Sequence, residues 1–197
     1  EYMGEVTGTG GAVFDNVEDT TMPDEQVSLF DRLYFGLDFG FAVDPLAFIC
    51  MHYDKKRREL YIYAELYGQK MTNRAAARRI KPLLHGHPIT ADSAEPKSIA
   101  EMRKCGINAV PAYKGPDSVQ GGIRTMQGYE WVIHPSCTFA AHDFMNYVWK
   151  RDKSGQPTDT PEHEFSHAPD AARYAMSGRR SGMRIDPSNI RMLRTGV

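Results

Sequence analysis

Three apolar runs of strand length stand close together, at Leu33–Phe39, Leu46–Tyr53 and Glu59–Leu66, and no helical period fits them. The polar turn from Tyr53 to Arg58 joins the last two as a hairpin, so the chain opens on an antiparallel meander. The pattern then changes. Thr72 caps a helical stretch, TNRAAARRIKPLLHG, with Ala75, Ile80, Leu83 and Leu84 expected on one side. Pro88 to Ala91 reads as a short buried strand, and Glu95 to Cys105 as a helix stopped at Gly106. Ile107 to Ala112 is the next strand, and Pro116 opens a helix running to about Gln127. Trp131 to Ile133 is a strand, Thr138 to Trp149 a helix, Lys150 to Thr160 a polar turn-rich stretch, and a last helix starts near Pro169 and ends at Gly178. A meander followed by alternating strands and helices predicts an α/β fold, a mixed central sheet flanked by helices.

Its 197 residues allow one domain and a tail, and 41% hydrophobic with 25% charged residues is the balance of a soluble globular protein. No apolar run approaches the roughly 18 residues that span a membrane, and the first residues show no basic n-region with an apolar core. Cys50, Cys105 and Cys137 form no CxxC pair and no even set, as expected of free thiols in a reducing compartment. The net charge of −1 argues at first against a nucleic-acid binder. Its distribution says otherwise: −8 over residues 1–31, +3 over 32–177 and +4 over 178–197. Residues 1–31 are rich in Gly, Thr and acids, and are expected to be linker, with order beginning at Arg32.

Three aspartates occupy related positions. Asp38 ends the first run, Asp92 ends Ile89-Thr90-Ala91, and Asp170 opens the last helix. Ligands bind outside the carboxyl ends of strands in α/β sheets, and three carboxylates gathered there need cations to offset their repulsion. Mg²⁺ or Mn²⁺ suits an all-oxygen donor set, and two such ions roughly 4 Å apart suit phosphodiester hydrolysis. The competing reading of any one of these residues is a turn-former or a helix-dipole partner.

The strings GLDFGFAVDP, ITADSAEPKSI, KGPDSV, HDFMNYVWKRDKSG and HAPDAARYA, in that order, resemble the nuclease domain of a tailed-phage large terminase. The resemblance covers roughly residues 30–178, with the nuclease domain at 32–178, and implies a ribonuclease H-like fold that cuts double-stranded DNA during viral genome packaging. It implies that Asp38, Asp92 and Asp170 hold two divalent ions, with Asp44 as an additional acid, against a plain Asp-Pro turn. His167 would be a ligand, a proton donor to the leaving 3′ oxygen or an orienting group, against a plain helix cap. Lys114 would touch a phosphate or the attacking water, against an ordinary solvated lysine. The segment from Tyr147 to Gly155 resembles the family's β-hairpin beside the active site, making Trp149, Lys150, Arg151 and Lys153 DNA-contact candidates.

The resemblance further implies that residues 1–31 belong to the end of an upstream ATPase domain, and by their charge residues 179–197 read as a basic tail. No GxxxxGK[ST] phosphate loop occurs in the chain. Expected partners are double-stranded DNA and, in the full-length protein, the ATPase domain, the small terminase subunit and the portal. The isolated domain is expected to be monomeric, in the cytoplasm of an infected bacterium. Nothing resembles a recognition helix, so base-specific readout should be slight. The alternatives are a non-catalytic packaging module of the same fold, another ribonuclease H-like nuclease such as a resolvase, and a zinc peptidase. The last comes from His163-Glu164-Phe165-Ser166-His167, which fits HExxH. That chemistry needs a helix, and Pro161 and Pro169 crowd the motif, so the match reads as accidental.

Overall fold

The computed structural model describes residues 11–18 and 21–177. Its elements, in chain order, are β1 (Val17–Glu18), α1 (Asp24–Val27), β2 (Leu33–Asp38), β3 (Leu46–Asp54) and β4 (Glu59–Gly68). These are followed by α2 (Asn73–Leu84), β5 (Ile89–Ala91), α3 (Pro96–Lys104), β6 (Ala109–Pro111), α4 (Ser118–Met126) and β7 (Glu130–Ile133). The last are α5 (Thr138–Asn146), β8 (Trp149–Arg151), β9 (Pro157–Pro161) and α6 (His167–Ser177).

Seven strands form one mixed sheet in the order β1-β7-β4-β3-β2-β5-β6, and β8 and β9 form a separate hairpin. The meander β2-β3-β4 is antiparallel, and every other neighbouring pair in the large sheet is parallel. This is the expected α/β architecture.

Strand alternation sends side chains to two cores. Leu33, Phe35 and Leu37 of β2 join Phe48, Ile80, Leu84, Ile99 and Met102 on the face covered by α2 and α3. Ile49 and Met51 of β3 join Ile62, Trp131, Phe144, Ala171 and Ala172 on the face covered by α4, α5 and α6. A bulge at Tyr63 shifts the β3/β4 register, since Cys50 pairs with Ala64 and Met51 with Ile62. Past the bulge, Glu65 reaches α5, where its carboxylate accepts the N–H groups of Phe139 and Ala140 at the helix N-terminus (3.1 and 2.8 Å).

Several boundaries differ from expectation for physical reasons. Order does not wait for Arg32. Val13, Phe14, Met22, Val27 and Phe30 are buried in the cores, and β1 extends the sheet beside β7. Apolar residues scattered among acids without a period leave no local signal, and only the packed sheet selects them. The helix from Thr138 ends at Asn146, because Tyr147 turns extended and Trp149 enters β8. The leader competes for that backbone: Val13 N–H donates to the Tyr147 carbonyl and Trp149 N–H to that of Gly11, each at 2.8 Å.

The helix expected from Pro116 begins at Ser118, since Asp117 is left-handed. On α2, Ala76, Ala77, Ile80 and Leu84 are buried while Ala75 is exposed and Leu83 half-buried, so the stripe is rotated by one residue. The last helix starts at His167, with Pro169 tolerated in its first turn where backbone N–H groups lack intrahelical partners anyway. Among the described residues no helix is long and apolar enough to cross a membrane. The basic tail, 179–197, lies outside the described residues.

Candidate active site

The ladder between β2 and β5 decides where two of the acids meet. Gly36 pairs with Thr90 and Leu37 with Ala91, and the Asp92 N–H donates to the Leu37 carbonyl at 3.1 Å. One step further along two parallel strands stand Asp38 and Asp92, on strands about 4.8 Å apart. Strand alternation puts Asp38 on the same face as Gly36, under α6. At Gly36 a Cβ would sit 1.9 Å from the Ala171 carbonyl oxygen. The glycine therefore lets α6 lie directly on β2, and Asp170 precedes Ala171 on that helix.

Each acid has a cationic or ionisable partner. The His167 ring donates through Nδ1 to Asp38 Oδ2 at 3.1 Å. Lys114, on the loop after β6, is ion-paired with Asp92 Oδ1, and its ammonium lies 5.3 Å from the Tyr174 ring centroid. Arg173 donates through Nε and Nη to Asp170 Oδ1 at 3.1 and 2.7 Å. In every case the contact uses one carboxylate oxygen. Gly122 of α4 leaves room for the arginine, since a Cβ there would come 2.5 Å from Arg173 Cδ. The exposed Asp44 stands on the β2–β3 loop, its Oδ1 3.9 Å from His167 Nε2.

Burial is the main force raising the Asp38 pKa to about 6; the charges of Asp170 and Asp92 add to it, and the His167 hydrogen bond opposes it. Burial also disfavours a charged His167, but the bond to Asp38 and the fields of Asp38, Asp143 and Asp44 outweigh it and raise that pKa too. A local surplus of negative charge thus raises both partners. Three carboxylates that feel one another and offer only oxygen donors fit a hard divalent cation.

Sequence reasoning passed over two of the residues that build this arrangement. Arg173 carries no local signal of its own, yet it is buried against Asp170. Asp143 is buried on the apolar side of α5, where Oδ2 accepts the Ala168 N–H at 3.0 Å and the Tyr67 hydroxyl at 3.3 Å. It caps the helix that carries His167 and Asp170. The available signal was an acid on the stripe shared by Ala140 and Phe144. Asp143→Ala is expected to cost about 2–3 kcal/mol in urea unfolding, because the buried Ala168 N–H loses its acceptor. Asp143→Asn, which keeps an acceptor and a group for Tyr67, is expected to cost about 1 kcal/mol or less.

Of the DNA-contact candidates, Lys150, Arg151 and Lys153 are exposed on the β8–β9 hairpin and Trp149 is half-buried at its base. Asp152 accepts the N–H groups of Ser154 and Gln156 at 2.8 and 2.9 Å, which shapes the hairpin tip. A groove of about 470 Å³ is lined by Ser118, Gln120, Lys150, Thr160, His163 and Asp170. Lys150 lines it, whereas Arg151 is turned to the Gly155 carbonyl at 2.8 Å. The HExxH string is not helical as a whole: His163 lies in a turn, Phe165 is left-handed (φ 62°), and only His167 belongs to α6.

Three comparisons bear on these residues. The family described as "Terminase RNAseH like domain" matches residues 38–178, a span containing all three aspartates. The large terminase subunit of Bacillus phage SPP1 is 39% identical over 182 residues, covering 89% of this chain and 43% of that protein. The PBSX phage terminase large subunit of Bacillus subtilis (strain 168) is 31% identical over 146 residues, covering 72% of this chain and 33% of that protein. The chain therefore spans less than half the length of these relatives. Among solved structures, the nuclease domain of the SPP1 large terminase with bound Mn superimposes with a TM-score of 0.79 at 36% identity, covering 84% of this chain and 98% of that one.

Proposed function

The chain belongs to the terminase RNase H-like domain family, and we propose that it is the part of a phage large terminase that cleaves double-stranded DNA during genome packaging. The convergence of Asp38, Asp92 and Asp170 from two neighbouring strand ends and the first turn of α6 carries this reading. Manganese bound to the SPP1 nuclease domain supports it. Those three carboxylates would hold two Mg²⁺ or Mn²⁺ ions, with Asp44 alongside. When bound, such ions supply Lewis acidity towards phosphoryl oxygens and favour deprotonation of the attacking water.

The remaining work falls to the chain's own side chains. Asp38, sunk beneath α6, holds His167 by Nδ1, so the imidazole has a fixed orientation, and in the doubly protonated ring that its raised pKa favours, Nε2–H is the group that can pass a proton to the departing 3′ oxygen. Lys114 balances Asp92 while the site is free of substrate, and a phosphate oxygen is the natural competitor for its ammonium. Arg173 pins one oxygen of Asp170 and leaves the other available to an ion. The groove beneath the hairpin, with Lys150 on its wall, leads a phosphodiester strand to Asp170.

In the full-length protein an ATPase domain, the small subunit and the portal would deliver DNA to this site, in the cytoplasm of the infected cell. Supercoiled plasmid incubated with the purified 197-residue chain and Mn²⁺ is expected to become nicked and then linear, and Asp92→Asn to leave it intact. Plasmid that survives both Mn²⁺ and Mg²⁺ would overturn the reading.

A further inference from the structure

The HExxH string forms no peptidase helix, yet it still brings two imidazoles beside a carboxylate. Ligand atoms of Asp44, His163 and His167 all lie within 4.8 Å of one another, and the two rings are 5.6 Å apart at 82°. Their meeting is a tertiary event. The left-handed turn at Phe165 folds His163 back towards the start of α6. Asp44 is returned by a tight loop, where a Cβ on Gly40 would come 2.4 Å from the Asp44 carbonyl oxygen.

The orientation of His167 matters most. A carboxylate can only accept, so Nδ1 carries the hydrogen in its 3.1 Å bond to Asp38, and in the neutral ring the lone pair lies on Nε2. That nitrogen faces Asp44, at 3.9 Å from Oδ1. A carboxylate holding the far nitrogen of a ligating histidine is the usual support of imidazole–metal bonds. Ligand atoms on one tetrahedral ion stand about 3.3 Å apart, given bonds of roughly 2.0–2.1 Å. Side-chain rotation of the exposed Asp44 and His163 closes the remaining gap.

We propose that Asp44, His163 and His167 form a two-histidine, one-carboxylate site for a borderline transition ion, Zn²⁺ above all, which adjoins the three-aspartate site and draws Asp44 to its own ion. Imidazole nitrogens select ions late in the first transition row over Mg²⁺, and among these donors Zn²⁺ binds more tightly than Mn²⁺. The Asp38–His167 hydrogen bond links the two sites. An ion on Nε2 occupies the atom that the proposed reaction uses for proton transfer, so Zn²⁺ is expected to inhibit cleavage supported by Mn²⁺.

Binding itself is the test, and it stands whether or not the chain cuts DNA. Co²⁺ titrated into the intact chain is expected to give visible absorption bands from one bound ion, displaced by one equivalent of Zn²⁺. His163→Ala and Asp44→Asn, both at exposed positions, are expected to weaken Zn²⁺ binding in calorimetry by about 10- to 100-fold or more. Asp92→Asn, at the neighbouring site, is expected to leave Zn²⁺ binding within about threefold of the parent. Zn²⁺ affinity indifferent to His163→Ala, or lost in Asp92→Asn, would assign the ion to the three aspartates and overturn the proposal.

Discussion

Replacing Asp38 with asparagine is expected to abolish divalent-ion-dependent cleavage and, in the same molecule, to raise the melting temperature of the metal-free chain at pH 7.5. The two effects have one origin. Asp38 is only 8% exposed, and its pKa is raised from 3.8 to about 6, first by burial and then by Asp170 and Asp92. Keeping it ionised at pH 7.5 costs the folded state about 3 kcal/mol relative to the unfolded chain, at about 1.4 kcal/mol per pH unit. Asparagine removes that cost and forfeits the charge-assisted bond to His167, for a net gain of about 1–2 kcal/mol and a few degrees in Tm.

The pH dependence follows with a definite sign. Between about pH 6 and 4 the folded chain holds a proton at Asp38 that the unfolded chain has released, so this group adds stability as pH falls. His167, also raised, acts in the same direction, because its contribution is present at low pH and lost as pH rises through its folded value. Burial lowers the pKa values of His52, His87 and His134, which act the other way, so the comparison isolates Asp38: the gain in melting temperature from pH 7.5 to 5.5 should be smaller in Asp38→Asn than in the metal-free parent. Cleavage is expected to fall by at least about 10³-fold, the equivalent of roughly 4 kcal/mol of lost ion-held geometry. Melting scans at the two pH values and a plasmid assay decide the matter. A variant that still cuts refutes the site assignment, and one that is inactive and also less stable at pH 7.5 refutes the account of a costly buried charge.

Gly36→Ala is expected to be the most damaging single methyl in the domain. The added Cβ would lie 1.9 Å from the Ala171 carbonyl oxygen and 2.7 Å from its carbon, both backbone atoms. A flexible side chain can swing away from such a contact, whereas a helix backbone must move as a body. Ordinary overpacking costs about 1–3 kcal/mol, and a clash with main chain belongs at or above the top of that range. Relief requires α6 to lift off β2, which carries Asp170 and His167 away from Asp38. Urea unfolding should show a loss of about 3 kcal/mol or more, and Mn²⁺ binding should weaken in whatever folded fraction remains. Ala171→Gly should not rescue it, because the obstacle is a carbonyl and not the Ala171 methyl. Rescue by that second change would refute the proposed contact.

The acids were legible because each sits at a place that local pattern defines: the end of an apolar run for Asp38 and Asp92, a helix start for Asp170. Their partners were not. Lys114 sits in a polar loop, and sequence alone left it between a site residue and a solvated one until the structure paired it with Asp92. Arg173 follows Asp170 by one helical turn, a spacing equally common on solvated faces, and only α4 lying over it makes the pair buried. The HExxH string shows the converse. Its flanking prolines already spoke against a helix, and Phe165 is left-handed, while the loop bearing Asp44 gave its histidines a neighbour that spacing could not reveal.

Sequence by itself determined the alternation of strands and helices, the antiparallel meander, and the positions of three carboxylates within their elements. Periods of two and of 3.6 residues, with Pro, Gly and Thr as boundary marks, are local properties that any short window contains. The tertiary structure alone decided that Val13 and Phe14 are core, that Trp149 leaves its helix to pair near the leader, and that His167 meets Asp38 across 129 positions. The last of these contacts exists only once α6 has closed onto Gly36. Their energies come from excluding water and from placing charges side by side, and neither quantity is defined until the distant segments have met.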